Sequence, residues 1–284
     1  MTSVLVLIAA PHSGAIDARV LAAVGTAPRW LAEGEAAEFS APTDLTSLRQ
    51  ILSNLPIDVN LVPTLNRRKR LLIADMDSTI IQQECIDELG VVAGVGDRIK
   101  AITVRAMCGE IDFANALRER VGLMAGLDAT VIDHIVRDRI TLMPGGKALV
   151  ATMKAHGAYT ALVSGGFRQF TTRVASLVGF DTDEANDLLI KNSKLLGRVG
   201  EPILGKEAKV QALHRFSAQK GIGPADAIAV GDGANDIPLL QAAGMGVALH
   251  AKPRVQEAAP LRINHGDLTA LLYLQGYSRQ EFQQ

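Results

Sequence analysis

Two aspartates, Asp75 and Asp77, stand two residues apart directly after the apolar run 71–74. Carboxylates this close repel each other, and a hard divalent cation with oxygen ligands, above all Mg²⁺, would offset the repulsion. One carboxylate could then attack a phosphorus centre to give an aspartyl-phosphate, while the other exchanges protons. The same segment, DMDST, would also suit a helix N-terminus, because Asp, Ser and Thr are good capping residues.

A second acid-rich segment, GDGAND, follows the apolar run 227–230 and includes Asp232 and Asn235. Its glycines allow a tight bend, and Asp232 is the natural third ligand for a metal ion held by the first pair. An ordinary Asp-Gly turn that closes a strand would explain Asp232 and Gly233 equally well. That turn would not explain the additional Asn235 and Asp236.

Two further segments could bind a phosphate group. Ser164 and Gly165 follow the apolar run 159–163, and a hydroxyl with free backbone N–H groups suits phosphate oxygens. Lys209 lies on a predicted helix, where its ammonium could offset the charge of the paired carboxylates and of an incoming phosphate. Alternatively, Ser164 and Gly165 belong to a common Ser-Gly-Gly turn, and Lys209 is a solvated surface lysine.

The three apolar runs are typical of buried strands, and long helical patterns separate them. This alternation predicts an α/β fold with a Rossmann-like parallel sheet and helices on both of its faces. In such sheets ligands bind at the carboxyl ends of the strands, so we expect the polar residues that end the three runs to converge.

The pattern of apolar runs and helical stretches divides the chain into three predicted parts. Residues 67–83 and 143–284 form the catalytic core, and the mostly helix-forming residues 84–142 form a helical cap inserted in it. That cap contains amphipathic stretches near 84–92, 97–107, 113–123 and 130–139. Residues 1–66 form a small α+β domain that resembles an ACT-like ligand-binding domain, with strands at 3–10, 35–41 and 57–63 and helices at 15–24 and 44–54.

The segments DMDSTIIQQECIDELG, VSGGF and GDGANDIPLL, with Lys209 before the last, occur in the order of the four motifs of the haloacid dehalogenase-like (HAD) superfamily. The resemblance to this superfamily covers about residues 71–265, and within the superfamily the three segments resemble those of the phosphoserine phosphatase family. The resemblance implies hydrolysis of O-phospho-L-serine to L-serine and phosphate, the last step of serine biosynthesis. It implies that Asp75 is the nucleophile and Asp77 the general acid and base. Mg²⁺ would be bound by Asp75, Asp232 and the backbone carbonyl of Asp77.

The resemblance also implies the substrate contacts. Glu84 would meet the ammonium of the substrate, and Arg120 would bind its carboxylate. The remaining implied contacts are Met107, Phe113, Ser164, Gly165, Lys209 and Asn235. Without the resemblance, Glu84 and Arg120 would be interpreted as exposed residues of charged helices. Because Arg118 lies in the same predicted helix, the choice of Arg120 depends on the alignment of the segment RERV.

Charge and cysteine content exclude several classes of protein. The chain has 29 Lys and Arg against 30 Asp and Glu, a net charge of -1, which argues against a nucleic-acid binder. We therefore interpret the basic run 67–70 as a solvated linker. The apolar opening 4–10 is too short for a membrane span, and the two cysteines form no metal or disulfide motif, so we expect a cytoplasmic protein without a signal peptide.

Two other functions remain open at this stage. A related phosphatase or phosphotransferase of the same superfamily could act on another small phosphomonoester or use an acceptor other than water. A non-catalytic serine-sensing protein on the same scaffold would be expected to have lost Asp75, Asp77, Lys209 or Asp232, and all four are present. The sequence leaves a homodimer open.

Overall fold

The computed structural model describes residues 3–284. Its N-terminal part contains two helices and four strands. In chain order these are β1 (Ser3–Ala9), α1 (Ala18–Val24), β2 (Arg29–Ala32), β3 (Ala36–Ser40), α2 (Leu45–Ile51) and β4 (Ile57–Pro63). The strands form an antiparallel sheet in the order β2-β3-β1-β4, the arrangement of a split βαβ motif. The structure thus adds β2 to the predicted strands, because its four residues are too few to show an alternating pattern.

One face of this sheet packs on the two helices. Leu5 and Leu7 of β1 alternate with residues that point the other way, as strand geometry requires, and they share a core cluster with Val20 of α1 and Leu48 of α2. Asp17 caps α1 by accepting hydrogen bonds from two backbone N–H groups of its first turn. Alternation and capping together explain why this segment forms a small α+β unit.

A six-stranded sheet carries the predicted motifs. Its strands are β5 (Leu71–Ala74), β6 (Tyr159–Phe167), β7 (Thr182–Asn186), β10 (Ala227–Gly231), β11 (Met245–Leu249) and β12 (Leu261–Ile263), in the order β12-β11-β10-β5-β6-β7. The pairs β10–β11, β11–β12 and β6–β7 are parallel. All residues of β5 and β10 are buried, as expected for strands covered on both faces. The α/β fold class is therefore confirmed, with the three predicted apolar runs as neighbouring strands.

Helices and one hairpin make up the rest of the ordered structure. The predicted cap segment contains α3 (Cys85–Val92), α4 (Gly96–Met107), α5 (Phe113–Gly122) and α6 (Val131–Asp138). The other elements are α7 (Gly146–Ala155), α8 (Arg168–Val178), the hairpin β8 (Leu188–Lys191) and β9 (Lys194–Val199), α9 (Lys206–Gln219), α10 (Ile237–Ala242), α11 (Pro253–Ala258) and α12 (Ala270–Leu274). Among the described residues 3–284, no helix has the length and apolar character needed to cross a membrane.

The chain clusters into two compact units. The first contains the described residues up to 73 together with 143–160 and 213–284, and the second contains residues 74–142 and 161–212. These boundaries pass within β5 and β6 and differ from the predicted division into N-terminal domain, core and cap, which stays a prediction.

Within the first unit, β4 is joined to β12, the end strand of the six-stranded sheet. The side-chain amide of Asn60 donates to Arg262 O at 2.9 Å and accepts from Arg262 N at 3.0 Å, so it bonds the strand as a neighbouring backbone would. The Asp58 carboxylate accepts hydrogen bonds from the backbone N–H groups that follow, those of residues 264, 265 and 266. Both side chains are buried.

Two residues of the basic run 67–70, Arg67 and Lys69, make polar contacts within the first unit. Arg67 bonds Glu38 at 2.5 Å and donates its Nε to Leu274 O at 2.7 Å. Lys69 Nζ donates to Ala225 O at 2.7 Å. Since Arg67 and Lys69 are largely buried, the run is a linker as interpreted, but two of its cations are not solvated.

Candidate active site

Asp75 follows the last residue of β5 and forms a buried ion pair with Lys209. Lys209 Nζ lies 2.8 Å from Asp75 Oδ2, and both side chains are less than one-tenth exposed. Lys209 reaches this position because it lies in the first turn of α9, which begins at Lys206. The other oxygen of Asp75, Oδ1, accepts a hydrogen bond from Met76 N at 2.8 Å. The lysine is therefore placed to neutralise charge at Asp75 rather than to be solvated.

Asp77 lies between Asp75 and the start of α3. Its Oδ1 accepts a hydrogen bond from Cys85 N at 3.1 Å. Burial, followed by the negative charges of Glu84 and Asp75, raises the pKa of Asp77 to about 8. A carboxyl group with such a pKa holds its proton near neutral pH, which is the property required of a general acid.

The predicted phosphate-binding residues lie in a bulge of β6. Val163 pairs with Glu184 and Phe167 with Asn186, so three residues of β6 face a single residue of β7. Those three are Ser164, Gly165 and Gly166, and such a bulge turns backbone groups out of the ladder. The hydroxyl of Ser164 accepts a hydrogen bond from Gly166 N at 2.9 Å.

Glycine at position 166 allows the bulge to approach Asp77. A Cβ atom placed on Gly166 would lie 2.8 Å from Asp77 Oδ2 and 3.1 Å from Ser164 Oγ. Both distances are shorter than ordinary contacts, so any other residue would push these two side chains away. The general-acid candidate and the phosphate-binding candidate are thus neighbours in the second unit.

Glu84 and Arg120 also lie in this unit. Glu84 Oε1 accepts a hydrogen bond from Ser78 Oγ at 2.7 Å. Burial lowers the pKa of Arg120, whereas the negative charges of Asp87 and Glu84 act in the opposite direction, so the guanidinium lies in the field of Glu84. Arg118, the alternative, is exposed and bonds Glu201 at 2.7 Å. This difference favours Arg120 over Arg118 as the inward-facing cation.

The two apolar candidates are placed differently. Phe113, the first residue of α5, brings ring atom Cζ to 3.3 Å from the position of a Cβ on Gly165, so its ring lies over the bulge. Its side chain is 41% exposed. Met107 ends α4 with an exposed side chain, and its role in substrate contact stays a prediction.

The acid-rich loop after β10 belongs to the first unit. A Cβ on Gly231 would lie 2.5 Å from Asp236 Oδ2, so the glycine lets the loop fold closely around a fully buried carboxylate. Gly233 N donates to the same oxygen at 3.0 Å. Asn235, a predicted contact, is partly buried here.

In the loop after β10, Asp232 and Asp236 are carboxylates that could hold a metal ion. An all-oxygen donor set of this kind fits Mg²⁺. Asp236 was not among the residues assigned from the sequence. The sequence could have indicated Asp236, because this residue lies four positions after Asp232 in the same acid-rich loop.

The chain is similar to known proteins. The family model for haloacid dehalogenase-like hydrolases matches residues 72–241. A phosphoserine phosphatase of Streptomyces coelicolor is 42% identical over 238 residues, which cover 83% of this chain and 58% of that protein. The chain spans between 53% and 65% of the length of four of the curated relatives that it matches.

Solved structures are similar as well. The crystal structure of a probable phosphoserine phosphatase from Vibrio cholerae has a TM-score of 0.83 at 30% identity and covers 99% of this chain and 88% of that one. A phospho-aspartyl intermediate analogue of phosphoserine phosphatase has a TM-score of 0.67 at 37% identity, covering 72% and 98%. These matches confirm the resemblance that the motifs indicated, and the chain belongs to the haloacid dehalogenase-like hydrolase family.

Proposed function

We propose that the chain hydrolyses O-phospho-L-serine to L-serine and inorganic phosphate, the last step of serine biosynthesis. The observation that carries the proposal is the buried pair of Asp75 and Lys209 in the same unit as the Ser164 bulge. Phosphoryl transfer has a transition state that spreads negative charge over three oxygens. It therefore needs a nucleophilic carboxylate close to a fixed cation and to a phosphate-binding turn.

In the first step a carboxylate oxygen of Asp75 attacks the phosphorus of the substrate, in line with the seryl oxygen. The bond between phosphorus and that oxygen breaks, and Asp77 donates its proton to the departing seryl oxygen. L-Serine leaves, and the phosphoryl group remains on Asp75. Lys209 offsets the charge on the transferred group throughout.

In the second step a water molecule attacks the aspartyl-phosphate. Asp77, which has lost its proton in the first step, now accepts one from this water. The bond between phosphorus and the Asp75 oxygen breaks, releasing phosphate and restoring both carboxyl groups. Since Asp77 acts as acid and then as base, its closeness to the bulge at Ser164 suits both steps.

Mg²⁺ fits the acidic residues present. We propose Asp75, Asp232 and the backbone carbonyl of Asp77 as its ligands, because carboxylate and carbonyl oxygens are the ligands that Mg²⁺ binds in proteins. When bound, the ion supplies positive charge that reduces the repulsion between the Asp75 carboxylate and a phosphate dianion.

Recognition of a phosphorylated amino acid requires a partner for each of its three charged groups. Ser164, Gly165 and Lys209 suit the phosphate. Glu84 suits the ammonium and Arg120 the carboxylate, and the negative charge of Glu84 acts to raise the pKa of Arg120. Further proposed substrate contacts complete the set: Met107, Phe113 and Asn235.

The proposal is tested by measuring phosphate release from purified chain with Mg²⁺ or with EDTA. We expect turnover of O-phospho-L-serine, loss of turnover in EDTA, and recovery when Mg²⁺ is restored. Phosphoethanolamine lacks the carboxylate that Arg120 would bind, so its kcat/KM should be at least about 100-fold lower. No phosphate release from phosphoserine in the presence of Mg²⁺ would refute the function.

The same assay separates the proposal from its closest alternative. A phosphotransferase would hand the phosphoryl group to an added alcohol, and phosphate release would fall as the alcohol ester accumulates. A hydrolase would release phosphate at the same stoichiometry with or without the alcohol. We also propose that the protein acts in the cytoplasm, and its two free cysteines suit a reducing compartment. The formation of a homodimer stays a prediction.

The close approach at Gly166 gives a prediction for this reaction. We expect Gly166→Ala to fold and to lower kcat about 100-fold, because the added methyl group displaces the Asp77 carboxylate from its position. Steady-state kinetics and thermal unfolding measure the two effects. Gly122→Ala is the matched control, since a Cβ there meets nothing within 4 Å. Equal kcat values for the two variants would contradict this account.

A further inference from the structure

Asn186 ends β7, and its side chain is 2% exposed. The residue belongs to none of the motifs in the sequence. Its amide bonds backbone groups of two separate segments. Nδ2 donates to Gly165 O at 2.9 Å and to Leu204 O at 3.2 Å, and Oδ1 accepts from Leu204 N at 2.7 Å. Both N–H groups and the carbonyl oxygen of one side chain are therefore occupied by backbone partners.

The first of these segments is the bulge of β6. Because three residues of β6 face one residue of β7, the ladder cannot pair every backbone group there. The side-chain amide of Asn186 donates a hydrogen bond to Gly165 O, in place of a backbone partner from the ladder. Leaving a partly buried carbonyl without a donor would be costly, so this hydrogen bond helps to fix the conformation of the bulge.

The second segment leads into α9. Leu204 stands two residues before Lys206, where α9 begins, and five residues before Lys209. The two hydrogen bonds between Asn186 and Leu204 hold the chain at the point from which that helix starts. Lys209 then reaches Asp75 from the first turn of the helix.

We propose that Asn186 is a positioning residue that holds the Ser164–Gly165 bulge and the start of the Lys209 helix in one fixed arrangement, so that both meet the substrate's phosphate together. The proposal rests on the proposed function. Asn186 touches neither substrate nor reacting atoms in this account. It acts through the two backbone segments that do, and a displacement of about 1 Å at such groups costs about 100-fold in rate.

A purely structural role would have different consequences. Asn60 offers the comparison, because it is also a buried amide whose side chain bonds backbone N–H and C=O groups, and it lies in the other unit. If Asn186 only stabilises the fold, then Asn186→Asp and Asn60→Asp should both lower the melting temperature and both keep kcat. If Asn186 positions the phosphate-binding groups, only its variant changes phosphate recognition.

The experiment compares wild type, Asn186→Asp and Asn60→Asp in kcat and KM for phosphoserine and in inhibition by inorganic phosphate and by L-serine. The aspartate has the shape of Asn but cannot donate to Gly165 O and Leu204 O when ionised. We expect Asn186→Asp to lower kcat about 100-fold and to weaken inhibition by phosphate about tenfold. Inhibition by L-serine, which Glu84 and Arg120 would bind, should change less than about twofold.

Asn60→Asp should leave all four quantities within about twofold of wild type. Equal behaviour of the two variants, or equal weakening of phosphate and serine inhibition by Asn186→Asp, would overturn the proposal. If Asn186→Asp does not fold, Asn186→Ser replaces it. Serine keeps one donor but is too short to bridge both segments, so the same expected losses and the same contradicting outcomes apply.

The two proposals fail separately. If wild type releases no phosphate from phosphoserine, the proposed function is wrong. The inference is then decided by the rise in melting temperature that inorganic phosphate and Mg²⁺ produce. Asn186→Asp should reduce this rise and Asn60→Asp should retain it, and an equal rise in both would overturn the inference.

Discussion

Asp75→Asn is expected to lower phosphoserine turnover by about 10⁴-fold or more, in a chain that still folds. The amide oxygen is a poor nucleophile and cannot form a stable aspartyl-phosphate. The side chain keeps its size, and its one oxygen can still accept from Met76 N or from Lys209 Nζ. Phosphate release measures the loss, and circular dichroism with thermal unfolding measures the retention of the fold.

Asp58→Asn is the matched control for this variant. Asp58 is a buried carboxylate that accepts backbone hydrogen bonds, but it belongs to the contact of β4 with β12 and not to the site. We expect this variant to lose stability and to keep its kcat per folded molecule. Turnover by Asp75→Asn near the wild-type rate would show that another residue accepts the phosphoryl group.

Lys209→Met is expected to have the second-largest effect. Methionine fills similar space but carries no charge, so the transferred phosphoryl group loses a fixed cation and kcat should fall at least about 10³-fold. Removal of one partner of a buried ion pair also leaves Asp75 uncompensated, which should lower the free energy of unfolding by about 3 kcal/mol. Urea denaturation measures the second quantity.

Lys69→Met separates the two effects of losing a buried lysine. Lys69 is also buried, and its ammonium donates to Ala225 O rather than to a carboxylate. Its variant should lose stability without a change in kcat. The double variant Asp75→Asn/Lys209→Met should recover part of the stability lost by Lys209→Met, because no buried charge is then left unpaired. A similar fall in kcat for Lys69→Met would contradict the role given to Lys209.

The central strands of the sheet could be predicted because burial on both faces favours a nearly continuous apolar run. β5, β6 and β10 contain such runs at 71–74, 159–163 and 227–230, and each run is followed by a polar candidate of the site. The four helices α3–α6 were found in the predicted cap segment for a similar reason. Ile132 and Ile135, three residues apart, bury one face of α6 in the way that its amphipathic pattern predicts.

Other elements gave no such signal. β7 has the sequence TDEAN, in which four of five side chains are polar or acidic, and propensity argues against a strand there. It forms because its backbone pairs with β6. Asn186 could not be assigned for the same reason, since a lone Asn after an acidic stretch is typical of a turn. Its importance depends on contacts with residues 18 and 21 positions away.

The side chain of Asn60 has a consequence for the behaviour of the molecule in solution. β12 is the outermost strand of its sheet, and an open strand edge is a template on which another molecule can add a strand of its own. By bonding both backbone groups of Arg262, Asn60 takes the place that such a strand would occupy. We therefore expect the contact between β4 and β12 to oppose growth of the sheet into aggregates.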